Sequence, residues 1–179
     1  MTCIPAISAR LLLTAGLLAT PAGLGFAEPA AQDFAPTEEV ATYLNKRYGF
    51  TLSYPTASFK PREPLSEEGR VWVSHDGNAK LLAGALANLD GMNLHEYREY
   101  LLKESYPGAE LDYAPVRDTW FVLSGTRDGT TFYERVTFTC GGRRINSWAM
   151  LYPVEQRQLY DRILEKVARS YRAGDRNCG

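Results

Sequence analysis

The chain has 179 residues, and its 20 Lys and Arg nearly balance its 21 Asp and Glu, for a net charge of −1. That balance gives no electrostatic reason to expect nucleic acid or an anionic membrane surface as a partner. The two histidines show no metal-ligand spacing, and the compositional excess is aromatic, at 12% of residues.

The first 27 residues read as a secretory signal peptide. Arg10 precedes an apolar run, Leu11 to Leu24, and a small-residue ending, Gly25-Phe26-Ala27. Gly16, Pro21 and Gly23 interrupt that run, which falls short of the roughly 20 residues needed to cross a bilayer. The expectation is cleavage after Ala27, periplasmic or secreted localisation, and no stable membrane anchor. Cys3 lies before the apolar run, so a lipid-anchored cysteine at the cleavage point is disfavoured. Removing residues 1–27 takes away one base and no acid and leaves roughly 150 residues, enough for one domain around one core.

Residues 28–43 form a leader whose prolines, acids and alanines show no sustained periodicity; a single domain spans residues 44–179. Tyr48 to Tyr54 alternates apolar with small or polar residues and stops at Pro55, which predicts a strand. Residues 55–69, with Pro55, Pro61 and Pro64, read as a surface loop. Val71–Val73 and Lys80–Ala87 flank His75-Asp76-Gly77-Asn78, the turn chemistry of a hairpin. Asn93 and Glu96 have capping-box spacing, and Leu94, Tyr97 and Leu101 recur at helical period, which predicts a helix over 93–104.

Four further strands are predicted over 111–116, 119–127, 130–140 and 143–152, the last three joined by Asp128-Gly129 and Gly141-Gly142. Beyond Pro153, the residues Leu159, Tyr160, Ile163, Leu164, Val167, Ala168 and Tyr171 form one apolar helical stripe. Gly174 is its expected stop. The fold class is therefore α+β: a central, mostly antiparallel sheet of about seven strands flanked by helices.

Without the signal segment only Cys140 and Cys178 remain, and in an oxidising compartment such a pair is expected to bond. The bridge would close a loop of about 39 residues, for which chain entropy gives roughly 4 kcal/mol. The alternative, a redox-active pair, lacks a Cys-x-x-Cys spacing.

Tyr48-Gly-Phe-Thr-Leu-Ser-Tyr-Pro55, the His75-Asp-Gly77 hairpin, Trp120-Phe-Val-Leu-Ser-Gly125, Phe132-Tyr-Glu-Arg135, and Tyr152-Pro153 followed by Tyr160-Asp-Arg-Ile163 resemble secreted bacterial relatives of the PsbP-like α/β/α sandwich proteins. The resemblance covers about residues 44–172. It implies a central antiparallel sheet between helices and a family mostly of accessory, assembly or protein-binding factors. No catalytic signature comes with it, and many bacterial members have no known function.

The residue patterns offer few candidate sites. His75, Asp76 and Asn78 would hold a cation with Asp128 if the two turns met; otherwise they form a solvated turn. His95 and Glu99 have the spacing of a surface pair. A nucleophile would have to be Ser124, Ser147 or another hydroxyl, with His75 or His95 as base and a carboxylate as orienter, and Ser124-Gly125 lacks the Gly-x-Ser-x-Gly elbow. Tyr133 and Trp148, on adjacent strands, are the candidate interaction surface, with ordinary core packing as the alternative. No catalytic group, metal or cofactor is expected. The leading functional expectation is an exported, non-enzymatic factor that binds an envelope protein. A small-ligand or cation-binding module and an unrecognised hydrolase are the alternatives.

Overall fold

The computed structural model describes residues 39–63 and 67–178. The expected signal peptide, its cleavage point and most of the expected leader lie outside the described residues.

Among the described residues the sequence alternation becomes nine strands: β1 (Val40–Leu44), β2 (Thr51–Pro55), β3 (Phe59–Pro61), β4 (Gly69–Ser74), β5 (Lys80–Ala87), β6 (Glu110–Tyr113), β7 (Trp120–Arg127), β8 (Thr130–Thr139) and β9 (Arg144–Pro153). Helix α1 spans Leu94–Glu104 and helix α2 spans Arg157–Ser170. Seven strands form one antiparallel sheet in the order β3-β4-β5-β9-β8-β7-β6, while β1 and β2 pair as a separate ribbon.

The expected count of seven is met by a different set of strands. The predicted strand at 48–54 lies in the ribbon as β2, and β3 arises within the predicted 55–69 loop. β1 begins inside the predicted leader and pairs with β2 from Val40↔Pro55 to Leu44↔Thr51. The ribbon also joins the C-terminal tail, because Thr51 and Arg172 exchange backbone hydrogen bonds of 3.0 and 2.9 Å.

Two-residue periodicity sends alternate side chains to opposite faces. On one face Trp72, Leu81, Ala83, Trp148 and Met150 pack against Tyr160, Ile163 and Val167 of α2 and against Phe50 and Leu52 of the ribbon. On the other face Phe121, Leu123, Phe132 and Val136 pack against Leu101 of α1 and Tyr106 just beyond it. The helices therefore cover opposite faces of the sheet.

Local chemistry explains where the elements stop. Asn93 caps α1, its side chain accepting from the backbone of His95 and Glu96 while Glu96 reaches back to the Asn93 N–H. Asp128 and Gly129, with φ of 49° and 74°, make the tight β7–β8 turn.

Two expectations for α2 are corrected. Leu159 is exposed, so the buried stripe runs from Tyr160. The helix ends at Ser170, before Gly174, because Tyr171 turns extended at ψ 134°. Gly174 serves a close approach instead: a Cβ there would strike the Tyr48 carbonyl oxygen. Its N–H donates to Asn146 Oδ1 at 3.0 Å, and its carbonyl accepts from Asn146 Nδ2 at 3.1 Å and Thr139 Oγ1 at 2.7 Å.

Candidate functional site

Among the described residues the two helices leave part of the sheet uncovered. α1 lies over the β7–β8 half of its face, and the β4–β5–β9 half beside it forms a cleft of about 990 Å³. Its floor is Val71, Leu82, Gly84, Ser147, Ala149 and Leu151, side chains that are apolar or small. Gly84 and Ser147 face each other in register across β5 and β9, which makes the middle of the floor shallow. Leu101, Ser105 and Tyr106 form the wall on the α1 side, and Arg62 and Glu63 stand exposed at the opposite rim. Arg70 also borders the cleft, but its guanidinium lies 5.2 Å from the centre of the Tyr43 ring.

One ionisable group is sunk into this apolar setting. Glu134 on β8 is 9% exposed and lines the cleft. Its Oε2 accepts the Tyr106 hydroxyl at 2.6 Å, and the Tyr106 ring stacks on Phe132 with centroids 4.1 Å apart. Among the described residues Glu134 takes part in no ion pair.

Burial holds the Glu134 carboxyl above its ordinary range, and the Tyr106 hydrogen bond opposes that only in part. Burial, followed by the charge of Glu134, pushes Tyr106 upward, and for the same reasons Tyr97 rises to about 12. The carboxyl thus keeps its proton to a higher pH in the folded chain than in the unfolded one. Its contribution is fully present below about 4.5, its ordinary value, and is lost as pH rises through the folded-state value. Glu134→Gln should therefore gain stability relative to wild type as pH rises from 4 to 8, read from urea midpoints; parallel profiles would contradict this.

Sequence reading missed Glu134, although a signal was present. Phe132, Glu134, Val136 and Phe138 occupy one face of β8 at period two, so a carboxylate sits in an apolar row.

The residues singled out from the sequence fall elsewhere or into other roles. Cys140 and Cys178 are disulfide-bonded, with Cα atoms 5.3 Å apart. The bridge fixes the tail across the β8–β9 turn, where Arg143 donates to the Cys178 carbonyl at 2.7 Å and Asn177 donates to that of Arg47 at 2.7 Å. Trp148 is corrected as a surface candidate: it is 0% exposed beneath α2, with ring centroids 5.0 Å from Tyr133 and 6.0 Å from Tyr171. Tyr133 is half-buried against that core. The indole lies inside because the even-numbered positions of β9 face α2.

The His75–Asn78 and Asp128 turns do share one end of the sheet. They are three strand spacings apart, about 14 Å. Asp76 spends its oxygens on its own turn, accepting from Ser74 and Asn78, and the Ser74 hydroxyl foremost holds its carboxyl below the usual range. His75 contacts the Thr56 carbonyl at 3.1 Å, and Glu99 pairs with Arg98 instead of His95. Ser147 lies in the cleft floor and Ser124 within β7.

No protein-family model and no curated protein matches the sequence. Solved structures match in fold. One is the solution structure of cyanobacterial PsbP (CyanoP) from Synechocystis sp. PCC 6803, at 14% identity and a TM-score of 0.56, covering 76% of this chain and 93% of that one. Another is the Saccharomyces cerevisiae Ran-binding protein Mog1p, at 11% identity and a TM-score of 0.56, covering 79% of this chain and 99% of that one. At these identities the likeness is one of architecture: the seven-stranded antiparallel sheet with its helices is a PsbP- and Mog1-like α+β fold.

Proposed function

We propose that this chain is an exported, non-enzymatic accessory factor of the bacterial periplasm that binds another envelope protein through the cleft beside α1. The observation that carries the reading is the half-covered sheet face, whose apolar and small side chains stand open beside a helix that covers only its other half. Such a concave apolar surface is where a folded domain buries a partner. Mog1p, which shares the fold, is a Ran-binding protein, a case of this architecture serving protein binding. The Arg10 to Ala27 segment supports export. Among the described residues no helix is long and apolar enough to cross a membrane.

The test is affinity capture from an envelope extract by the wild-type protein and by Ser147→Phe. Ser147 is partly exposed in the middle of the floor, opposite Gly84, so phenylalanine fills the cleft without displacing the core. One partner held by wild type and lost by a normally folded Ser147→Phe is expected; equal capture by both would contradict the proposal. A second reading, a small apolar ligand, draws on the cleft volume of about 990 Å³, at the top of the roughly 300–1,000 Å³ range for such sites. A small molecule that co-purifies with wild type and not with Ser147→Phe would favour it.

A further inference from the structure

The bare part of the sheet has the width of one helix. Strands β4, β5 and β9 lie side by side, and at about 4.8 Å per strand their outer axes are roughly 10 Å apart. An α-helix with its side chains is about 10–12 Å across, and packed helices sit about 8–10 Å axis to axis. A helix beside α1 would therefore complete the layer. Gly84, Ser147 and Ala149 along the middle of the floor allow its backbone to approach closely.

Glu134 stands at the border between α1 and that vacant lane. Its one hydrogen bond among the described residues is the one from Tyr106, whereas an ionised carboxylate offers about four acceptor positions. A buried carboxylate is stabilised by a charged partner with good geometry, and this chain supplies none among its described residues. The other ionisable groups around it are Tyr97 and Tyr106 from the α1 side, with Arg127 beyond Tyr106 donating to the Ser105 carbonyl at 2.8 Å, and Arg62 and Glu63 across the cleft, with Arg70 turned onto Tyr43. Among the described residues none of Arg62, Arg70 and Arg127 forms an ion pair with Glu134, which leaves its carboxylate available to an incoming cation.

From this geometry we propose that the cleft seats an amphipathic helix of the partner protein, and that one basic residue on the helix's apolar face pairs with Glu134. The proposal rests on the protein-binding reading above and adds the partner's chemistry to it. An apolar face without the basic residue would fill the lane and leave the carboxyl unmatched. A basic residue at one position fixes the register of the helix along the sheet, because only one carboxylate lies there.

The test is a display library of 18-residue amphipathic helices in which the central position of the apolar face carries every amino acid. Selection is run on wild type, Glu134→Gln and Ser147→Phe, the folding of each being checked by circular dichroism and urea midpoint. Glutamine keeps an acceptor for Tyr106 and removes the charge. Lys and Arg should be enriched about tenfold or more on wild type, lose that enrichment on Glu134→Gln, and select no helix on Ser147→Phe. Enrichment of apolar residues at that position, or equal enrichment of basic residues on Glu134→Gln, would overturn the pairing. Failure to select any helix while wild type still captures an envelope partner would overturn the helix and leave the protein-binding reading standing. Loss of both would remove both.

Discussion

Trp148→Ala should lower stability by about 3–5 kcal/mol, while Tyr113→Ala changes it by no more than about 0.5 kcal/mol. The indole is wholly buried on β9 between the sheet and α2, among Tyr133, Tyr171 and Val167. Among the described residues the indole Nε1 has no hydrogen-bond partner, so the loss is of packing and of apolar burial. Neighbours drawn from β8, α2 and the tail beyond it cannot all collapse into the space, which places the effect toward the upper end of that range. Tyr113, at 55% exposure on the edge strand, gives up little on truncation. Urea unfolding followed by circular dichroism checks both, since the substitution itself removes a fluorescent reporter. A Trp148→Ala effect below 1 kcal/mol would mean that the indole lies at the surface.

Breaking the Cys140–Cys178 bridge should have a comparable effect. The cysteines are 38 positions apart, and loop entropy for that length gives roughly 4 kcal/mol. The segment they enclose contains β9 and α2, two of the elements that build the core on the ribbon side. Asn146, 0% exposed, still holds Gly174 by its N–H and its carbonyl, and Arg176 N–H still donates to the Tyr48 carbonyl at 3.1 Å. The double variant Cys140→Ser, Cys178→Ser should therefore fold, with a urea midpoint reduced by that amount. A change below 1 kcal/mol would show that the tail is held by its hydrogen bonds alone.

The two cysteines were legible because no other cysteine stands beyond residue 27 of the sequence. Asn93 and Glu96 were legible for a different reason: a capping box is local, four residues that satisfy one another's backbone groups. The turns at Asp128-Gly129 and Gly141-Gly142 are local in the same sense. What escaped depends on distant partners. Val40 to Leu44 points only Ala41 and Tyr43 inward, too short an alternation to stand out, and its pairing is fixed by β2. Phe59 to Pro61 is three residues stabilised by β4. Gly174 resembled a helix stop, yet its need comes from Tyr48, more than a hundred residues earlier. The cleft was least legible, since it exists only because α1 covers half a face. Of its features Glu134 alone left a trace, as the one charge in the inward row of β8.

The most direct measurement is in-cell photo-cross-linking from two positions of the full chain, Leu82 in the cleft floor and Leu159 on the outer surface of α2. One cross-linked envelope protein is expected from position 82 and none from position 159, with loss of the product when Ser147→Phe is added. A partner cross-linked from position 159 with none from position 82 would contradict the assignment of the cleft as the binding surface.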